Sequence, residues 1–140
     1  MTASTRTSTA TIADVDVVRA VFGAFASGDL AILSDLLHAD ATWHHRNDDR
    51  LGGIHRGSDR IIAFMGESAQ LTAGTLTVVP QSVCTDGAGH VCAVVQVTGT
   101  RPDGRSMTDL QAVLFAVDGG RIRTVDQFVG EPRAVQAFWE

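Results

Sequence analysis

The strongest constraint on what this chain can fold into is a change of hydrophobic period at Gly74. Upstream, apolar residues recur at helical spacing. Val15, Val18, Phe22 and Phe25 stand at i, i+3, i+7 and i+10. They form one stripe of a helix expected over about residues 13–26, with Gly28 placed to end it. Asp29 can cap a second helix whose Leu30, Leu33, Leu36 and Leu37 form another stripe, and His38 at its end suits the negative pole of the helix dipole. A short strand at 42–46 follows, then a loop with Asn47, two aspartates, Gly52 and Gly53. Ser58 is placed as N-cap of a third helix that turns Ile61, Ile62 and Met65 inward.

Beyond Gly74 the pattern is that of strands, at about 75–85, 90–100, 105–117 and 121–129, joined at DGAG, RPDG and DGG. Pro80 marks the first as an edge strand or a bulged one. The segment 90–100 is apolar on both faces, with Val91, Ala93, Val95 and Val97 on one and Cys92 and Val94 on the other. A sheet with one wet face alternates, so both faces here must be covered, by helices on one side and a second subunit on the other. Pro132 opens a closing helix carrying Ala134, Val135, Phe138 and Trp139. The expected fold is α+β, a curved mixed or antiparallel sheet wrapped around N-terminal helices. It forms a single domain over residues 13–140, preceded by a flexible tail at 1–12. The tail, MTASTRTSTATI, lacks the apolar core of a secretory signal, and the expected location is the cytoplasm.

Composition removes several chemistries. The net charge of −5 argues against nucleic acid and anionic membranes as partners. The chain has no lysine and no tyrosine, which excludes Schiff-base catalysis and a phenolic donor. Acid–base work falls to His, Asp, Glu or Cys. Cys84 and Cys92 can face each other across a hairpin centred near Ala88 and are read as small hydrophobes in a reducing compartment. There is no CxxC or HExxH, and adjacent strand histidines point to opposite faces, so neither a metal nor a cofactor is expected.

Three of the five histidines and one of the two tryptophans lie within residues 41–64. On a strand Trp43 and His45 share a face and His44 takes the other. By the same alternation Asp109, Gln111, Val113 and Phe115 share a face, as do Val125, Gln127 and Val129. With Phe64 and Met65 from the third helix, Val21 from the first and His55 at the entrance, these rows predict an apolar pocket with few polar groups. In it His45 is the candidate base for removing a proton beside a carbonyl, with Gln111 donating to the enolate and Asp109 orienting the imidazole or, if protonated, donating itself. The bland reading makes His45 a satisfied structural residue and leaves both glutamines bonded within the sheet. The run from Asn47 to Arg50 is read as a solvated, self-bonded loop or a lid. Asp126, of opposite parity to Gln127, is read as an outer-face residue.

The order helix, helix, strand, helix, four strands, helix resembles the nuclear transport factor 2-like cone. More narrowly it resembles its ketosteroid isomerase and SnoaL-like polyketide cyclase group. The segments SGDLAILSDLLHADATW, HRGSDRIIAF, GRIRTVDQF and EPRAVQAFW carry that likeness. The resemblance implies a small-molecule pocket but no single reaction, because this scaffold hosts isomerases, cyclases, dehydratases, epoxide hydrolases and binding modules. It places the isomerase base on His45, the oxyanion tyrosine near Val21 and the protonated aspartate near Val113, so both donors are missing. The Gln, His and Asp of the cyclases fall on Gln111, Val113 and Gln127, where only the glutamine is kept. The arginine and aspartate of limonene epoxide hydrolases have no counterpart in CAVVQVTGT. Two classes stay open: a cofactor-free isomerase, cyclase or dehydratase acting on a polyketide- or steroid-like carbonyl compound, and a non-catalytic ligand-binding or dimerisation module. A homodimer is expected for either.

Overall fold

A computed structural model describes residues 2–140, with side chains described from residue 13 onward. In chain order the elements are α1 (Thr2–Ser27), α2 (Leu30–Asp35), β1 (Leu37–Arg46), β2 (Gly53–Arg56), α3 (Ser58–Leu71), β3 (Thr77–Thr85), β4 (His90–Thr100), β5 (Ser106–Asp118), β6 (Arg121–Phe128) and α4 (Pro132–Trp139). The strands form one curved, unclosed sheet in the order β2-β1-β6-β5-β4-β3. β1 runs parallel to β6, and the other neighbouring pairs are antiparallel. This is the expected α+β class.

Several local expectations are corrected. Helix α1 begins at Thr2, well upstream of residue 13. Met1 and the side chains of residues 2–12, on which the flexible-tail expectation falls, lie outside the described residues. Helix α2 has only 6 residues, too few for a four-leucine stripe. Leu30 is therefore left 52% exposed, and Leu37 and His38 belong to β1. His38 is thus no helix-end residue, and its Nε2 lies 3.0 Å from the Asp118 carbonyl. The segment read as loop up to Gly53 continues into β2, which pairs with β1. Gly57, not Ser58, caps α3, at a φ of 90° that disfavours any residue bearing a Cβ. Other signals act as read: Asp29 Oδ1 accepts from the Ile32 amide, Gly28 ends α1 at positive φ, and Pro80 lies on the edge strand β3 beside a bulge.

Period-2 alternation sorts the sheet into two faces. The inner rows of β4 and β5 are buried: Val91, Ala93 and Val95 on one strand, Val113 and Phe115 on the other. They pack with Val18 and Val21 of α1, Ile61 and Met65 of α3, and Val135 and Phe138 of α4. Near one end Phe115 meets Trp43 and Phe22 edge-on, with ring centroids 6.0 and 5.7 Å apart, an arrangement favoured by the ring quadrupoles. The outer row is open in the single chain: Leu110 is 58% exposed, Leu114 39% and Phe128 45%.

The connection between β6 and α4 closes over β5 at Gly130, where an added Cβ would stand 2.5 Å from the Leu110 carbonyl oxygen. Both groups are backbone, so neither can swing aside. Gly130→Ala should lower unfolding free energy by about 1–3 kcal/mol, the usual range for overpacking. Urea titration checks this, and a loss below a few tenths of a kcal/mol contradicts the close approach.

Candidate functional site

The parallel pairing of β1 with β6 sets His45 beside Gln127 and Trp43 beside Val125. Across β6, Gln127 faces Val113 of β5. One rung of the inner face therefore carries Val113, Gln127 and His45 side by side. It borders a cavity with about 80 Å³ open to the centre of a water-sized body. Of the residues expected to line it, Trp43, His45, Gln111, Val113, Gln127, Phe64, Met65 and Val21 do so. Phe115, Val125, Val129, His55 and Asp109 do not. Phe115 and Val125 are consumed by packing on the Trp43 rung, at 0% and 2% exposure. His55 stacks on Phe64 at 4.1 Å, and its Nε2 lies 2.9 Å from the Leu51 carbonyl. His44 takes the opposite face, 3.7 Å from Asp126, as alternation requires.

Polar groups in the cavity are few and mostly bonded to one another. Trp43 Nε1 donates to Gln127 Oε1 at 2.9 Å, Gln127 Nε2 donates to Gln111 Oε1 at 2.7 Å, and Gln111 Nε2 donates to Asp109 Oδ2 at 3.0 Å. An indole can only donate and a carboxylate only accept, so the two ends fix the orientation of both amides between them. Each amide nitrogen keeps one further N–H. Asp109 also accepts from the Gly130 and Glu131 amides, both at 3.0 Å. It fastens the start of α4 and anchors the glutamines. The expectation that it orients the imidazole is corrected: its lone pairs are spent on the chain turn, away from His45.

The carboxylate that meets the imidazole is Asp49. His45 is 2% exposed, and its Nε2 lies 3.1 Å from Asp49 Oδ2. The Asp49 side chain is itself fully buried. Asn47 Nδ2 donates to the same oxygen at 2.7 Å, and the Leu51 amide donates to Oδ1 at 2.8 Å. Sequence reasoning assigned Asp49 to a solvated loop. The available signal was its spacing: a tight loop after a strand returns the chain within reach of the strand's last inward side chain, and Gly52 permits that turn. A Cβ at Gly52 would lie against the Asn47 carbonyl oxygen. Leu51, carried by this loop, is 2% exposed and lines the cavity.

Because Asp49 accepts, the neutral imidazole carries its proton on Nε2 and a lone pair on Nδ1. That Nδ1 is buried and has no partner among the described residues. A buried acceptor without a partner costs about 1–3 kcal/mol. Burial works to raise the Asp49 carboxyl, but the hydrogen bond and charge of His45, with the Asn47 and Leu51 donors, outweigh it and hold the group below its ordinary value. No arginine, aspartate or glutamate lines the cavity, so the site suits an uncharged, largely apolar ligand. Among the described residues no cluster of three or more His, Cys, Asp or Glu is placed to hold a metal ion, and no helix is long and apolar enough to cross a membrane.

A group whose carboxyl is held low in the fold stabilises it above the unfolded-state value near pH 4 and loses that contribution as pH falls through the lower folded value. Asp49→Ala should therefore remove acid-dependent stability below about pH 4 and cost about 2–4 kcal/mol at neutral pH, by leaving the His45 Nε2 and Leu51 amide donors without an acceptor, while Asn47 Nδ2 keeps the Pro132 carbonyl. Denaturant titrations of both proteins from acid to neutral pH check this. A variant within about 0.5 kcal/mol of the parent shows the carboxylate to be dispensable to the fold.

Comparison with known proteins places this geometry in a family. Residues 18–125 match the SnoaL-like domain. An uncharacterized protein of Mycobacterium tuberculosis is 36% identical over 127 residues, covering 91% of this chain and 96% of its own. Among solved structures, Bal32a from a soil-derived mobile gene cassette superposes with a TM-score of 0.90 at 27% identity, covering 94% of this chain and 99% of its own. An NTF2-like protein from Burkholderia xenovorans gives 0.80 at 19% identity, with 93% and 98% covered. The chain belongs to the SnoaL-like family and has the fold of the NTF2-like protein it superposes on.

Proposed function

We propose that the chain is a cofactor-free isomerase or lyase in which His45 Nδ1 removes a proton from carbon beside the carbonyl of an uncharged, mostly apolar compound. The observation that carries this is the buried Nδ1 without a partner, on an imidazole held from its other nitrogen by a buried carboxylate. A positioned base of this kind contributes about 100-fold to 10,000-fold. The C–H electron pair passes into the carbonyl to give an enolate, whose oxygen takes a spare amide N–H of Gln127 or Gln111. The imidazolium then returns its proton at a different carbon, giving an isomer, or the enolate re-forms the carbonyl and expels a group from the next carbon, which leaves with the imidazolium's proton, giving an elimination product. Asp49 acts through His45, holding the tautomer and facing the charge that develops on the ring.

The family likeness favours a polyketide- or steroid-like ring as the carbonyl compound. A cavity of about 80 Å³ at water-sized centres takes a small ring rather than a fused polycycle. A larger substrate needs the Leu51 loop to withdraw. The second reading, a ligand-binding module without catalysis, is supported by the chain from Trp43 to Asp109, which occupies both glutamine oxygens and one N–H of each amide within the protein itself.

The test is exchange of α-protons for deuterium in a panel of cyclic ketones and enones in deuterated water, followed by NMR. Protein-dependent exchange is expected on at least one compound. It should be lowered about 100-fold or more by His45→Ala and by Asp49→Asn, and be unchanged by His44→Ala. Compounds that bind but exchange no faster than with His45→Ala decide for the binding module.

The proposed assembly is a homodimer through the outer sheet face. Leu110, Leu114 and Phe128 form an apolar row there that water would otherwise cover. Light scattering at micromolar concentration should give about twice the chain mass, and Leu110→Lys with Leu114→Lys should give the monomer. A parent protein that scatters as a single chain removes the dimer.

A further inference from the structure

Outside the cavity, the molecule's other reactive pair lies on the opposite face of the sheet. Cys84 of β3 and Cys92 of β4 are direct partners in the antiparallel register. Both are free thiols, Cys84 exposed and Cys92 half-buried. Directly opposed residues of an antiparallel pair have Cα atoms about 4.5–5.5 Å apart, inside the roughly 4.4–6.8 Å span that a disulfide bridges. The Cys84 thiol already leans across the gap, with its Sγ 3.7 Å from the Cys92 carbonyl oxygen. The register is pinned by the turn beyond it. Asp86 Oδ1 accepts from the Ala88 and His90 amides at 2.7 and 3.1 Å, and its Oδ2 lies 2.7 Å from His90 Nδ1. A shallow pocket lined by both cysteines, Asp86, His90 and Leu114 opens directly onto the pair.

From this arrangement we propose that Cys84 and Cys92 are a reversible redox site, closed to an intrachain disulfide by peroxides. Cys84, the more exposed, attacks first. Its thiolate sulfur bonds to one peroxide oxygen, the O–O bond breaks, and the leaving oxygen departs as water after protonation, giving a sulfenic acid. Cys92 sulfur then attacks Cys84 sulfur, the S–O bond breaks, and a second water leaves. Two thiols and one hydrogen peroxide become one disulfide and two waters. Burial, and then the neighbouring Cys84, push the Cys92 thiol up, which suits it to the second, resolving step. An exposed disulfide of this kind is readily reduced, so a dithiol reverses it. The bond ties edge strand β3 to β4 on the outer face, whereas Val78, Val95 and Val97 line the cavity from the inner face. The proposal is independent of the reaction assigned to His45; because Leu114, the neighbour of Cys92 across β4 and β5, also belongs to the row proposed for the dimer, it requires that the dimer contact leave the β3–β4 hairpin open to peroxide.

The experiment treats the full-length protein with a small excess of hydrogen peroxide, then measures free thiols and intact mass under denaturing, non-reducing conditions. Both thiols should disappear together, the mass should fall by two hydrogens, the product should remain a single chain, and dithiothreitol should restore it. Cys84→Ser should leave Cys92 largely unoxidised. Cys92→Ser should trap Cys84 with one added oxygen. Thiols that persist in the parent, products that gain oxygen at both cysteines, or disulfides between chains each overturn the proposal.

Discussion

The pairing of β1 alongside β6 is the constraint on which the rest of the site depends. It is the one parallel pair among the described strands. It joins residues 84 positions apart in sequence, since Trp43 bonds Gln127 through their side chains. Without it His45 would stand on a hairpin with β2 and meet only Asp49 of its own loop, with no amide beside it. With it, the imidazole, two amides and an indole share one inner surface, and everything between them is apolar. Such non-local contacts pay a loop-closure entropy that local hairpins avoid, so the pairing has to be held by burial. The Trp43 rung supplies that burial, with Val125, Phe115 and Val91 as its register partners across the sheet.

Alternation along strands is a local property, and what depended on it could be read from the sequence. The opposite orientations of His44 and His45, the inner row of β5 and the outer row of Leu110 and Leu114 all follow from period 2 alone. Turn chemistry and caps at Gly28, Asp29, Pro80 and Pro132 were equally local. Loop closure was not legible. The return of residues 47–52 onto the end of β1 depends on a buried carboxylate satisfying three donors at once, and no periodicity reports that. Polar loop composition pointed to solvent, whereas the Asp49 side chain is wholly buried. The same limit explains Asp109. Its face was read correctly, but its partners are backbone amides of a segment some twenty residues downstream. Helix α2 forms where Asp29 caps it but stops short of its four-leucine stripe for a different reason: the leucine spacing was helical, yet strand pairing of Leu37 with Ile122 overrode it.

The two carboxylates divide the labour that sequence reasoning gave to one. Asp109 terminates a one-way chain of donors and holds the β6–α4 turn in place, so its loss would loosen glutamines and backbone together. Asp49 holds a single imidazole and the loop carrying Leu51. The first arrangement stiffens one wall of the cavity, and the second ties the imidazole to the wall that carries Leu51. A ligand that displaced Leu51 would pull on the Leu51 amide, and through Asp49 Oδ1 on the carboxylate that orients His45. In the proposed reaction, substrate entry and the orientation of His45 would therefore be linked, through two hydrogen bonds of 2.8 and 3.1 Å.

The balance between catalysis and binding turns on how polar atoms are satisfied. A pocket that evolved only to enclose an apolar ligand gains nothing from a buried nitrogen left without a donor, because each such atom costs stability. Here every other polar side-chain atom of the cavity's glutamine chain has a partner, while His45 Nδ1 does not. A nitrogen left so, on a ring held from its other side by a buried carboxylate, is poorly suited to a passive wall and is what the proposed proton transfer requires. With no tyrosine in the chain and a valine at 113, the proposed reaction would have to draw stabilisation of its oxyanion from neutral amides. Their weaker donation would limit such a reaction to substrates whose α-protons are already fairly acidic, such as those flanked by two carbonyls or by a conjugated enone.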